Sequence, residues 1–347
     1  MAVKECAKIG KRIFLKKIST HTSISSLTIS ITSRCNSKCK TCGIWRKKEK
    51  SNELSLLEWD ETLEKIGPVP WVTVTGGEPF LNPDLSELIK LLEKHNRPAF
   101  ITIPTNGILT SRIIKNVNKI LDVTEAQLMI NVSIDEIDAK DDFIRGISGS
   151  FENAVATIDG LKKIKVKKNN LSLGVNTVIS RYNIKRIQEI SDFVRLKIKP
   201  DFHSFEIAQK RNELDNKSMP FMIKTKERTE CIRFFLDEEN KQRSSVASKI
   251  KGILRKKYYR YLLEHETCGK AFKCSAGKSF VHISENGDVW PCCVKCENMG
   301  NLRDFDYNLF MLLKSKKAVG IINRIKNERC SCTMVNAYYT SIISRFV

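Results

Sequence analysis

Residues 26–45 read SLTISITSRCNSKCKTCGIW. The first seven form a short run rich in β-branched residues, the composition of a buried strand. That strand runs directly into a loop with three cysteines, Cys35-x3-Cys39-x2-Cys42. Thiolates suit soft metals and iron–sulfur clusters. A four-iron cube takes one thiolate per iron, so three cysteines leave one iron open for another ligand. A zinc site would want a fourth ligand nearby, and the loop offers none.

Outward from this stretch the pattern alternates. Strand-like runs fall at 71–75 (WVTVT), 99–105 (AFITIPT), 127–135 (QLMINVSID), 171–179 (LSLGVNTVI) and 201–208 (DFHSFEIA). Helical periodicity separates them at 54–66, 85–94, around 110–120, 151–164 and 184–196. Six strands alternating with helices predict parallel βα units. The strands are apolar on both faces, as in a sheet covered by helices. The cysteine loop follows the C-terminal end of the first strand, where such folds place their active sites.

These motifs resemble the radical S-adenosylmethionine superfamily, whose signature is the cysteine spacing above. Thr75, Gly76, Gly77, Glu78 and Pro79 after the second strand resemble the family's GGEP segment, which implies that Gly76, Gly77, Glu78 and Pro79 bind the methionine amino group of the cofactor. Asn106 closes the third strand, as is common in the family. Ser133 and Asp135 at the end of the fourth match ribose-contacting positions. Arg145 resembles an arginine near the methionine carboxylate, and Asn176 a residue lining the cofactor pocket. In one departure, Thr41 stands where an aromatic residue often precedes the third cysteine; Ile44 and Trp45 lie just beyond it. The resemblance spans about residues 26–208. It implies an α/β fold, a partial (β/α)6 TIM-like barrel open on one side. Glu206, ending the sixth strand, points toward the pocket in that arrangement and is a candidate substrate contact.

A second cysteine group lies in residues 268–347: Cys268, Cys274, Cys292, Cys293, Cys296, Cys330 and Cys332. Two strand-like runs, SFVHIS and DVWPC, flank Glu285, Asn286 and Gly287, a hairpin signal that brings Cys274 and Cys292 together. The spacing resembles the opening of the SPASM or Twitch auxiliary domain. That implies one auxiliary 4Fe–4S cluster on Cys274, Cys292, Cys330 and Cys332, with Cys293 and Cys296 close enough to compete. Cys6, Cys231 and Cys268 read as ordinary thiols, and His203, His265 and His282 as isolated structural histidines.

The expected organisation is a basic segment at 1–24, the barrel at 25–210, a helical bridge at 211–265 and a small cysteine-rich α+β domain at 266–347. The formal net charge of +21 attracts polyanions such as nucleic acid or an anionic membrane surface. The N-terminus shows no apolar signal region and no run reaches the roughly 20 apolar residues that span a bilayer. The expectation is therefore a cytoplasmic enzyme carrying a catalytic and an auxiliary 4Fe–4S cluster, using S-adenosylmethionine, and reduced by a protein such as a ferredoxin or flavodoxin. Its substrate is a peptide or protein, or a lipid or other small molecule. The competing reading from the residues alone is a basic RNA-binding protein with structural zinc sites.

Overall fold

The computed structural model describes residues 24–47, 52–241, 246–328 and 332–343. Nearly all of the basic segment at 1–24, and Cys6 and Cys330, lie outside the described residues. Six parallel strands form the centre: β1 Ser26–Ser30, β2 Trp71–Thr75, β3 Phe100–Thr105, β4 Gln127–Ser133, β5 Leu171–Ile179 and β6 Phe202–Ile207. They pair in sequence order, each parallel to the next. Helices α1 Leu56–Ile66, α2 Leu85–His95, α3 Thr110–Val123, α4 Ala139–Arg145, α5 Ser150–Lys165 and α6 Ile187–Phe193 connect them.

The apolar faces of the strands and helices meet in one large core. Leu27 and Ile29 of β1, Val72 and Val74 of β2, Ile101 and Ile103 of β3, and Leu128 and Ile130 of β4 are all buried there against Leu63, Leu88, Ile113 and Leu161. Removing that apolar area from water is the main term holding the sheet and helices together.

The chain then turns through α7 Thr225–Lys241 and α8 Val246–Cys268. These helices build a second core against the end of the sheet, where Phe205 stacks on Phe235 at 5.0 Å and Tyr258 and Tyr259 lie alongside.

The cysteine-rich segment does not form a separate sheet. Its strand β7, Phe280–Ile283, pairs in parallel with β1, and β8 Asp288–Trp290 and β9 Gly300–Asn301 continue outward as antiparallel partners. The nine strands therefore form one sheet, ordered β6-β5-β4-β3-β2-β1-β7-β8-β9. Helices α9 Leu309–Lys314 and α10 Lys316–Asn327 pack into the main core through Leu309, Leu312, Ala318 and Ile321, and α11 Val335–Ile343 carries Tyr338 into the second core against α8. No described helix is long and apolar enough to cross a membrane.

A polar clasp also ties this segment to the barrel. Ser55 and Glu58 form a capping box at the start of α1, which satisfies two otherwise unpaired backbone donors. The same Glu58 carboxylate accepts from Arg303 Nε at 2.6 Å and Tyr307 Oη at 3.0 Å. The Arg303 hydrogen bond, opposed by partial burial and helped by Ser55, lowers its pKa to about 2. A depressed acid contributes stability that is present above its unfolded value and lost as pH falls through the folded one. Wild-type stability is therefore expected to lose the Glu58 contribution between about pH 4.5 and 2, and Glu58→Gln to flatten that part of the profile in denaturant titrations.

Candidate active site

The loop after β1 is held by backbone contacts on two sides. On one side it docks on the C-terminal end of α4: Lys38 N donates to Arg145 O at 2.9 Å, Lys40 N to Ile144 O at 2.8 Å, and Ser37 Oγ to Arg145 O at 3.0 Å. The free carbonyls of a helix end are suited to this. On the other side it meets the segment after β2. Gly77 N donates to Thr32 O and Glu78 N to Arg34 O, both at 2.8 Å. The approach is so close that a Cβ on Gly76 would stand 2.2 Å from Thr32 O, and one on Gly77 2.1 Å from Arg34 O. Only glycine fits at either position.

Cys35, Cys39 and Cys42 line one cavity of about 250 Å³. Gly76, Gly77 and Glu78 after β2, Asn106 after β3, Ser133 and Asp135 at the end of β4, Glu206 on β6 and Arg145 at the end of α4 line it too. Pro79 is buried beside the cavity but does not line it. Asn176 also lies off its wall, where its Oδ1 accepts from Ser204 Oγ at 2.9 Å. Thr41 and Ile44 face the cavity; Trp45 instead donates its indole N–H to Cys42 O at 2.9 Å.

The electrostatics are those of buried charge held by partners. Arg145 is buried, with Nη2 3.0 Å from Asp135 Oδ2, Nε 4.0 Å from Asp141 Oδ1 and Nη1 3.8 Å from Cys39 Sγ. Its Nε makes no hydrogen bond. Burial raises the carboxyls of Asp135 and Asp141 while Arg145 opposes the rise. Burial pushes Glu78 up to about 7, against three donors: Asn106 N, Thr105 Oγ1 and Phe80 N. Burial likewise pushes the Cys35 thiol up to about 12 and Cys42 to about 11, each raised further by the neighbouring cysteines. Such thiols become thiolates only when a metal supplies the compensating charge. Three soft donors converging from one loop, beside a buried guanidinium with an unpartnered N–H, fit an iron–sulfur cluster and an anionic group bound next to it.

The cavity is also lined by residues that sequence reasoning passed over: Gln209, Arg211, Leu214 and Met334. The only sequence signal for the first three is position, because 209–214 directly follow β6, where loops of such sheets carry sites; Met334 has none. This loop is clamped to the cysteine loop. Gly43 N donates to Leu214 O at 2.6 Å, Asn216 Nδ2 donates to Thr41 O at 2.7 Å, and a Cβ on Gly43 would meet Asp215 O at 2.3 Å.

Of the second cysteine group, Cys292 and Cys332 are buried in the main core and Cys274 packs against it. Cys293 is also buried, Cys296 half-buried, Cys268 exposed, and Cys231 is buried in the second core.

The family model described as "Radical SAM superfamily" matches residues 29–194. A "Probable GTP 3',8-cyclase" of Methanopyrus kandleri is 33% identical over 191 residues, 50% of this chain and 55% of that protein. An "AdoMet-dependent heme synthase" of Oleidesulfovibrio alaskensis is 24% identical over 294 residues, 79% of this chain and 71% of that one. The match thus spans about half the length of the cyclase. Among solved structures, "Native anSMEcpe with bound AdoMet and Cp18Cys peptide" superposes with a TM-score of 0.60 at 18% identity, covering 92% of this chain and 95% of that one.

Proposed function

Because this chain belongs to the radical S-adenosylmethionine superfamily, we propose that it is an enzyme that takes a hydrogen atom from an organic substrate bound against the loop after β6. The observation that carries this reading is one cavity lined both by Cys35, Cys39 and Cys42 and by Glu206, Gln209, Arg211 and Met334. When bound to the three thiols, a 4Fe–4S cluster with S-adenosylmethionine on its open iron supplies a 5′-deoxyadenosyl radical as the hydrogen acceptor.

The chain's own residues do the positioning. Cys35, Cys39 and Cys42 hold three irons. Gly76 and Gly77 bring backbone rather than side chains to the cofactor. Arg145, with an unpartnered Nε, receives the methionine carboxylate, while Asp135 and Asp141 hold its guanidinium in place. Ser133 and Asp135 stand at the ribose end. Asn176 lies off the cavity wall and acts through Ser204 at most.

In the same cavity Val178, Ile207 and Ala208 cover the apolar part of a substrate, and Glu206, Gln209 and Arg211 meet its polar groups. Burial raises the Glu206 carboxyl and Arg211 opposes the rise. Hydrogen-atom transfer needs a positioned C–H bond and exclusion of water rather than a protein base. Cys274, Cys292, Cys330 and Cys332 hold an auxiliary cluster in the same reading, and an external reductant such as a ferredoxin or flavodoxin supplies electrons.

Anaerobically reconstituted protein with S-adenosylmethionine and a strong reductant is expected to release 5′-deoxyadenosine slowly even without substrate. Formation of S-adenosylhomocysteine or methylthioadenosine alone, measured by chromatography, would overturn the proposal.

A further inference from the structure

Where the loop after β6 meets the hairpin of β7 and β8, Glu213, His282 and Cys293 come together. One carboxylate oxygen, one imidazole nitrogen and the Cys293 sulfur all lie within 4.8 Å of one another. Three separate stretches of chain supply them: the loop clamped to the cysteine loop, strand β7, and the turn after β8.

The histidine is set for a ligand. It is 1% exposed. Its Nε2 is 2.8 Å from Ser30 Oγ on β1, and Trp290 packs edge-on against the ring at 4.9 Å. Its Nδ1 has no hydrogen-bond partner, and Glu213 Oε1, at 4.0 Å, is beyond hydrogen-bond reach. A buried ring nitrogen with no donor or acceptor partner is rare. Here the Ser30 contact on the opposite nitrogen fixes the ring, as second-shell partners of ligating histidines do, and leaves the Nδ1 lone pair toward Glu213 and Cys293.

The charges leave net negative charge for a cation. A thiolate and a carboxylate contribute two negative charges, and the imidazole none. Arg211 Nη1 lies 3.7 Å from Cys293 Sγ and 3.7 Å from Glu213 Oε2 and balances one of them.

We propose that Glu213, His282 and Cys293 bind a single zinc ion, separate from both iron–sulfur sites, that staples the loop after β6 to the cysteine-rich hairpin. One sulfur, one nitrogen and one oxygen form a borderline-soft donor set suited to zinc, which takes such ligands tetrahedrally with bonds of about 2.0–2.3 Å. Those bonds space the donors roughly 3.3–3.6 Å apart, closer than the 4.0 Å between His282 Nδ1 and Glu213 Oε1 here. The fourth position goes to water or to a group from the adjoining loop. This zinc requires none of the radical chemistry proposed above.

The test is metal content of cluster-loaded wild-type protein, with Glu213→Gln, His282→Ala and Cys293→Ser alongside. Incubated with zinc and desalted, wild type should retain about one zinc per chain, and the His282→Ala and Cys293→Ser variants background zinc with unchanged iron. Zinc-edge X-ray absorption on wild type, which needs no variant, should show one sulfur among nitrogen and oxygen ligands. Three results would each overturn the proposal: no retained zinc in wild type, a shell of three or four sulfurs (zinc in a cysteine cluster), or loss of iron from Cys293→Ser, which would make Cys293 a cluster ligand.

Discussion

Replacing Cys35, Cys39 and Cys42 together by alanine is expected to reduce release of 5′-deoxyadenosine to the uncatalysed background, and to remove about four of about eight irons per reconstituted chain. The three thiols line the cavity, and no other described cysteine does. Cys292 and Cys332 are buried in the main core and Cys274 packs against it, so the second set of thiols does not depend on the first loop for its placement. Iron and sulfide analysis with chromatography of the nucleoside products checks both parts. Loss of all iron would mean that the two sets share one cluster. Full retention would mean that none of the three ligates iron.

The second large effect concerns Arg145. Its guanidinium sits between Asp135 and Asp141, and all three side chains are buried. Arg145→Ala removes the only positive partner that either carboxylate has among the described residues, and breaking a buried pair in this way costs about 3–5 kcal/mol. The loss should appear as a lower denaturation midpoint in cluster-free protein. Arg145→Lys should recover part of the stability but little of the affinity for S-adenosylmethionine, because an ammonium cannot bridge two carboxylates and present a further N–H in the same plane. A stable Arg145→Ala protein with normal cofactor affinity would show that the guanidinium is neither a structural nor a binding element.

Much of the barrel was legible because its signals are local. The β-branched runs, the intervening helical periodicity and the cysteine spacing after residues 26–32 each report on a few consecutive residues. What escaped depends on distant pairing. Nothing within FVHI announces that His282 stands opposite Thr28 on β1, so His282 reads as an isolated histidine in the sequence and lies beside Glu213 and Cys293 in space. Arg211 follows β6 in a charged stretch that looks like linker, and it becomes cavity wall only because Asn216 and Leu214 pin the loop to residues 41–43. Asn176 shows the converse. Its place on β5 is that of a pocket residue by resemblance, yet its side chain spends its hydrogen bond on the neighbouring strand.

The pairing of β7 with β1 makes the cysteine-rich segment a poor candidate for domain swapping or truncation by protein engineers. A chain cut just before it would leave β1 with a bare parallel edge, its N–H and C=O groups open to any passing strand, and would expose Ser30 and the buried side of Leu27 and Ile29. Such edges are aggregation templates, so the shortened barrel would be lost to precipitation rather than recovered as a smaller catalyst.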